Sequence, residues 1–266
     1  PDIQGIENFK GEKIHSGYFK SGKPYQNKNV LVFGTGTSSH DVCQDLHANG
    51  ANVTMVQRSP TMIVNLEPSA QLPYALYQEG PSTDDCDLIA ISSPLSVLKK
   101  THQILTKQSK KLDSKLLKKL EKIGFVLDYG EDNTGWQFKY LTRGGGYYFN
   151  VGASNLVADQ KIKLIQFSDI KEFLSDGIIH NSKKLEYDSF IFATGYKGQE
   201  YMVKKFFGNE VANKVGRIWN FNSKKQELNN MFVKTNQQGL WFIAGSLAQC
   251  RIFSKYLSFQ ISKEIK

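Results

Sequence analysis

The chain has 266 residues, 40% hydrophobic and 12% aromatic, and its 34 Lys+Arg against 25 Asp+Glu leave a net charge of +9. With 17 Phe and 12 Tyr it can bury a sizeable core, which excludes a disordered chain. The longest apolar runs span four or five residues, far short of the roughly 18 that cross a bilayer, and no charged-then-apolar leader opens the sequence, so neither a transmembrane helix nor a signal peptide is expected.

Residues 1–28 read as loop-rich, punctuated by Gly5, Gly11, Gly17 and Gly22. Val30 to Phe33 is an apolar run of the buried parallel-strand type, followed at once by Gly34-Thr35-Gly36-Thr37-Ser38-Ser39 and a helical pattern through Val42, Cys43 and Leu46. Gly50 is placed to end that helix, and Asn52 to Gln57 reads as a second strand, completing one βαβ unit. An acidic patch (Asp84, Asp85, Asp87) then opens a lysine-rich stretch in which Leu112, Leu116, Leu117, Leu120 and Ile123 predict one amphipathic surface helix. After the loop Gly144-Gly145-Gly146 and the aromatic run Tyr147-Tyr148-Phe149, residues 162–193 alternate short strands with turns and end in the strand Phe190 to Ala193. Leu240 to Ala244 predicts one more apolar strand running into Gly245, and Leu247 to Ile265 is helical in pattern.

Thirty of the basic residues are lysines, and they read as distributed along the chain, a solvated surface rather than a nucleic-acid or membrane face. Cys43, Cys86 and Cys250 are widely spaced with no C-x-x-C pair, which argues against a disulfide framework or a zinc site and favours a reducing, cytoplasmic compartment. The first residue is Pro1, as expected of a fragment or a processed product.

The glycine turn carries the clearest chemistry. Gly34 permits the tight exit from the strand, Gly36 lets backbone approach a pyrophosphate, and the following helix presents free N–H groups at Thr37, Ser38 and Ser39. The second strand ends in Gln57-Arg58-Ser59 with no carboxylate for a ribose 2′-hydroxyl, so NADP is favoured over NAD, with Arg58 and Ser59 on the 2′-phosphate. No metal-ligand spacing and no nucleophile or paired-carboxylate arrangement stands out, and His40 and His47 read as helix-packing or surface residues.

Phe9-x-Gly11-x-x-x-His15-x-x-x-Phe19 matches the F-x-G-x-x-x-H-x-x-x-(F/Y) motif of flavin-containing monooxygenases, just upstream of the glycine turn. Phe192-Ala193-Thr194-Gly195-Tyr196 matches their F-A-T-G-Y segment, and Gly239 to Gly245 with Arg251 resembles their C-terminal flavin-side segment. The chain therefore resembles that family nearly end to end. Phe19-Lys20 replaces the Trp-Pro of the related Baeyer–Villiger enzymes and points to the N- and S-oxygenating branch or its indole-pyruvate-type relatives. Thr37 and Ser39 depart from the usual Asn and Gly of the turn, and the family's N-terminal FAD glycine turn does not occur in these residues.

The resemblance implies an α/β, Rossmann-like two-dinucleotide flavoprotein fold with its FAD domain incomplete. The expected parts are residues 1–28 as linker and flavin-domain remnant, 29–189 as NADP domain with a helical insertion, and 190–266 as the C-terminal part of the FAD domain. It implies NADPH and FAD as cofactors, with Thr194, Gly195 and Gly245 on the flavin side, and oxygen plus a soft nucleophilic or small organic molecule as substrates. On its own the chain is not expected to be an active oxygenase. A flavoprotein reductase and a non-catalytic NADP-binding module are the alternatives.

Overall fold

A computed structural model describes residues 1–265. In chain order the elements are β1 (Glu12–His15), β2 (Asn29–Phe33), α1 (Thr37–Ala48), β3 (Asn52–Gln57), β4 (Met62–Asn65), α2 (Thr83–Ser92), α3 (Leu95–Leu112), α4 (Ser114–Lys122), α5 (Gly135–Arg143), β5 (Tyr147–Asn150), α6 (Ala153–Ala158), β6 (Lys163–Gln166), β7 (Ile170–Leu174), β8 (Gly177–His180), β9 (Lys183–Glu186), β10 (Ser189–Phe192), α7 (Gln199–Val215) and α8 (Leu247–Ile265). They fall into two compact units. The first comprises Pro1–Gln78, Lys99–Lys139 and Gly145–Thr194; the second comprises Glu79–Leu98, Tyr140–Gly144 and the residues from Gly195 onward.

The first unit is built on a parallel five-stranded sheet in the order β1-β10-β2-β3-β6. Such a sheet needs apolar side chains on both faces, and β2 supplies them by simple alternation. Val30 and Val32 join Val42, Cys43 and Leu46 of α1 and Leu116, Leu117 and Leu120 of α4 in one core. Leu31 and Phe33 pack on the opposite face with Phe9, Phe173, Ile178, Phe190 and Phe192, beneath the antiparallel sheet β7-β8-β9. The βαβ unit β2-α1-β3 thus forms where the sequence pattern places it. The sheet draws β1 from residues 1–28 and β10 from the residues around 190, so strands distant in sequence share one sheet.

Two expectations are corrected. The amphipathic helix over residues 112–123 is interrupted at Asp113 (φ −89°, ψ 5°), whose buried carboxylate accepts hydrogen bonds from the Asn65 N–H (3.0 Å), Asn65 Nδ2 (2.7 Å) and Ser69 Oγ (2.7 Å). The helical bonds Asp113 N–H to Ser109 O and Leu117 N–H to Asp113 O nevertheless carry the spacing through the break. Leu240 to Ala244 is not a strand: the run is extended, but its ladder-like bond is only Phe232 N–H to Phe242 O, and no neighbouring strand offers the rest.

The second unit contains α2, α7 and α8, and its core of Val203, Val215, Ile218, Met231 and Phe232 is packed by residues of α7 and α8. Arg251 on α8 donates to Asp87 on α2 through two bonds, Nε to Oδ2 at 2.8 Å and Nη2 to Oδ1 at 2.5 Å. No described helix is long and apolar enough to cross a membrane.

Candidate functional site

Chain order reverses at β2: the chain leaves it through α1 to β3 on one side, while β10 arrives much later on the other. In open α/β sheets a crevice forms outside the carboxyl ends of the strands at such a switch point. At this place β2 ends in the glycine turn and β10 runs into Ala193 and Thr194.

The turn is shaped by two glycines in different ways. Gly34 has φ 124°, and a Cβ there would overlap the Ala193 carbonyl oxygen, so only glycine lets β2 leave the sheet against β10. Gly36, the N-cap of α1, has open space where a Cβ would stand and no side chain capping the helix. The N–H groups of Thr37, Ser38 and Ser39 therefore begin α1 as unpaired first-turn donors, with the positive end of the helix dipole behind them. Thr37 and Ser38 are exposed, whereas Ser39 is buried and donates to Gly34 O at 2.6 Å, which holds the turn closed. A small residue suffices at that third position of the motif.

His40 secures the turn from beneath. Both its backbone N–H and its ring Nδ1 lie 3.1 Å from Gly36 O, and a carbonyl only accepts, so the Nδ1 carries the proton. The ring is fully buried, stacks on Tyr148 at 3.9 Å, and its Nε2 has no partner among the described residues. Burial pulls its pKa down to about 4, against weaker opposing backbone hydrogen bonds to Gly36 and Thr35, so the imidazole is neutral. The neighbouring Cys43 is equally buried and its thiol is pushed up to about 12, which makes it packing rather than a nucleophile.

Arg58 and Ser59 follow β3 and are exposed, and the Arg58 guanidinium has no ion pair among the described residues. The loop that carries them is fixed by polar side chains that the sequence reading did not single out as site residues. Buried Gln57 donates from Nε2 to Val126 O (2.9 Å) and Ser59 O (3.3 Å), while its Oε1 accepts from Val126 N–H (2.8 Å) and Gln166 Nε2 (3.1 Å). Thr61 donates to Ser59 O at 3.4 Å and meets the hydroxyl of Thr35 at 2.6 Å. Thr35 belongs to the glycine turn, so this buried hydroxyl pair ties the turn to the arginine loop. The detectable signal was polar residues at strand ends otherwise made of apolar side chains.

The F-x-G-x-x-x-H-x-x-x-F residues hold the sheet edge together. Phe9 is buried and stacks on Phe190 at 3.6 Å; a Cβ on Gly11 would overlap the Phe9 ring and stand 2.6 Å from Asp188 O. His15 Nδ1 accepts from Gly17 N–H at 3.1 Å, and Phe19 stacks on Tyr25 at 6.0 Å. These contacts set β1 beside β10 and thread the chain into β2.

Thr194 closes the first unit and Gly195 (φ 82°) opens the second, both exposed. Gly245, within the second unit, has φ 111°; a Cβ there would overlap Gln249 Oε1 and approach Tyr140 Oη to 2.8 Å and Trp219 to 3.2 Å. Around it Tyr140 Oη donates to Gln249 Oε1 (2.6 Å), Ser246 N–H donates to Tyr140 Oη (2.7 Å), and Trp219 Nε1 donates to Tyr140 O (2.7 Å). Its glycine identity is thus required by local packing. Among the described residues no cluster of His, Cys, Asp and Glu could hold a metal.

Residues 2–113 match the family model described as flavin-binding monooxygenase-like. Over 203 residues the chain is 33% identical to the probable indole-3-pyruvate monooxygenase YUCCA3 of Arabidopsis thaliana, an alignment covering 74% of this chain and 40% of that protein. The probable indole-3-pyruvate monooxygenase YUCCA7 of the same plant is 31% identical over 202 residues, covering 74% of this chain and 41% of that protein. Among solved structures, a cyclohexanone monooxygenase mutant from Rhodococcus sp. Phi1 bound to NADP+ is similar with a TM-score of 0.49 at 15% identity, over 77% of this chain and 46% of that one. The chain spans about two fifths of the length of the curated relatives it matches. The family match over residues 2–113 and the likeness to the YUCCA proteins together support a flavin-binding monooxygenase-like family for this chain.

Proposed function

We propose that this chain supplies the NADPH-binding part, and a C-terminal flavin-side part, of an NADPH- and FAD-dependent monooxygenase acting on a small organic substrate. The observation that carries the reading is the pairing, through Thr35 and Thr61, of an open Gly36 turn at the start of α1 with the exposed Arg58 loop at the end of the neighbouring strand.

The open space at Gly36 fits a pyrophosphate, whose charge the first-turn N–H groups of Thr37, Ser38 and Ser39 and the helix dipole complement. Arg58 fits a 2′-phosphate through charge-assisted bonds and Ser59 adds a hydroxyl donor, while no carboxylate stands at the end of β3 to prefer a ribose diol. Thr194, Gly195 and Gly245 belong to the flavin side in this reading. When bound, the nicotinamide and flavin supply hydride transfer and oxygen activation. The chain's own residues bind and orient: the glycine turn accepts phosphate, the Gln57 and Thr61 bonds hold the arginine loop in register, and the neutral His40 braces the turn without taking up a proton near neutral pH. No disulfide joins Cys43, Cys86 and Cys250 among the described residues, which fits a reducing, cytoplasmic setting.

The first test is direct binding. Calorimetric titration is expected to give NADPH at least about tenfold tighter than NADH, the discrimination of one charge-assisted pair; equal affinities would contradict the reading. In an FAD-loaded, full-length protein that includes this chain, NADPH oxidation is expected to place an oxygen atom in indole-3-pyruvate or a thioether. NADPH consumption with no oxygenated product from either would contradict the oxygenase assignment while leaving the NADPH site standing.

A further inference from the structure

The chain's positive charge has one main source. Residues 99–122 hold nine lysines against two carboxylates, Asp113 and Glu121, and so contribute +7 of the net +9; the remaining residues are nearly balanced. This corrects the reading of the lysines as spread along the chain. The structure also removes one of the two diluting carboxylates, because Asp113 is 3% exposed and fully engaged with Asn65 and Ser69 on the inner side.

Lys100, Ile104, Lys107, Lys111, Lys115, Lys118 and Lys122 are all exposed and follow one another at steps of three or four residues along α3 and α4. At 3.6 residues per turn the six lysines fall within an arc of about 80°, over a length of about 33 Å. The buried positions, His102, Thr106, Ser109, Asp113, Leu116 and Leu120, fall on the opposite side of the same helices. The flanking lysines are spoken for: Lys99 pairs with Asp132, Lys110 lies 3.7 Å over the Tyr129 ring, and Lys119 pairs with Asp159 at 2.8 Å. None of the six stripe lysines has an ion pair among the described residues.

We propose that the outer face of α3 and α4 docks the protein peripherally on an anionic lipid bilayer surface. A row of lysines along a helix lying in one plane matches a sheet of anionic headgroups, each lysine adding attraction that acts only within a Debye length of the surface. Ile104, 66% exposed and second in the row, offers an apolar side chain to the acyl boundary while the lysine stems bury and their ammonium groups stay at the headgroups. A nucleic acid fits less well: the stripe has no arginine for bidentate contacts and no aromatic side chain on which a base could stack.

The test is flotation of the whole chain with vesicles of phosphatidylcholine alone and of phosphatidylcholine with about a third phosphatidylserine. Binding is expected to the anionic vesicles only, falling about tenfold or more when salt is raised from about 0.1 M to 0.5 M. The quadruple variant K107E/K111E/K115E/K118E is expected to lose it at least tenfold, and the milder K107Q/K111Q/K115Q/K118Q in part, with unchanged circular dichroism. A control carrying K183E/K204E/K205E/K224E, the same charge change elsewhere, is expected to keep binding. The proposal is overturned if the chain ignores anionic vesicles, if both quadruple glutamates weaken binding equally, or if single-stranded RNA at equal phosphate concentration displaces the chain from the vesicles.

Discussion

Two stretches of this chain carry the same local pattern and meet different fates. Val30 to Phe33 running into Gly34 becomes a central strand, while Leu240 to Ala244 running into Gly245 becomes an extended segment with one ladder-like bond. The first run has β10 on one side and β3 on the other, so every backbone group finds a partner and both faces of alternating side chains are covered. The second has no strand beside it, and its glycine is demanded instead by Tyr140, Gln249 and Trp219. Apolar sequence sets a preference for extension; neighbours with free hydrogen-bonding groups decide whether extension becomes a sheet.

The sharpest way to break that comparison is at the two glycines. Gly34→Ala places a Cβ against backbone, the Ala193 carbonyl, at φ 124°, and is expected to cost on the order of 3 kcal/mol or more, read as a large fall in the thermal midpoint or no folded protein. Gly245→Ala, at φ 111°, meets side chains rather than backbone, Gln249, Tyr140 and Trp219, which can shift, and should cost less, roughly 1–2 kcal/mol. If the two losses were equal, paired and unpaired runs would not differ as argued. Gly36→Ala, with open space around it, should leave the thermal midpoint within about 2 °C and weaken NADPH binding.

Acid should act on the first unit. Burial holds His40 and His102 down near pKa 4, below the usual histidine value of about 6.5. A lowered histidine pKa means that the unfolded chain binds the proton first, so stability falls as pH drops from about 6.5 to 4 and is constant with respect to these groups above that window. Unfolding free energies from denaturant titrations at pH 7 and 4.5 are expected to differ by on the order of 2 kcal/mol per histidine. His40→Phe, which keeps the stacking on Tyr148, should flatten part of that slope; an unchanged slope would mean that His40 is not buried as a neutral ring.

Much of the fold was legible in the sequence where one short-range signal sufficed. The β2-α1-β3 unit follows from an apolar run, a glycine turn and helical spacing, and the strand before Ala193 from its four apolar residues. Partners distant in sequence were not legible. Nothing near Asp113 announces that its carboxylate caps the amide of Asn65, 48 positions away, and breaks the helix there. Nothing local to Thr35 announces Thr61, nor does Gln57 announce Val126, because a polar residue at a strand end reads as solvent-facing until the chain that covers it is placed. The bare Gly36 turn and the exposed Arg58 were legible because a motif with a geometric reason fixes both; the clasp between them was not.

That clasp gives a smaller, sharper prediction. Thr61→Val removes the hydroxyl that Thr35 meets and should cost about 1–2 kcal/mol and lower NADPH affinity more than NADH affinity, whereas Thr61→Ser, which restores the hydroxyl, should recover both. A Thr61→Val variant that loses stability without any change in the NADPH to NADH ratio would make the pair a packing contact only.

The central claim, that the exposed arginine after β3 reads the 2′-phosphate, is tested most directly by measuring NADPH and NADH dissociation constants for the native chain and for Arg58→Ala. The thermal midpoint should not move, since Arg58 is exposed and has no ion pair among the described residues. NADPH affinity is expected to fall about 10- to 100-fold while NADH affinity stays within about twofold. Equal weakening of the two, or none of either, would contradict the account.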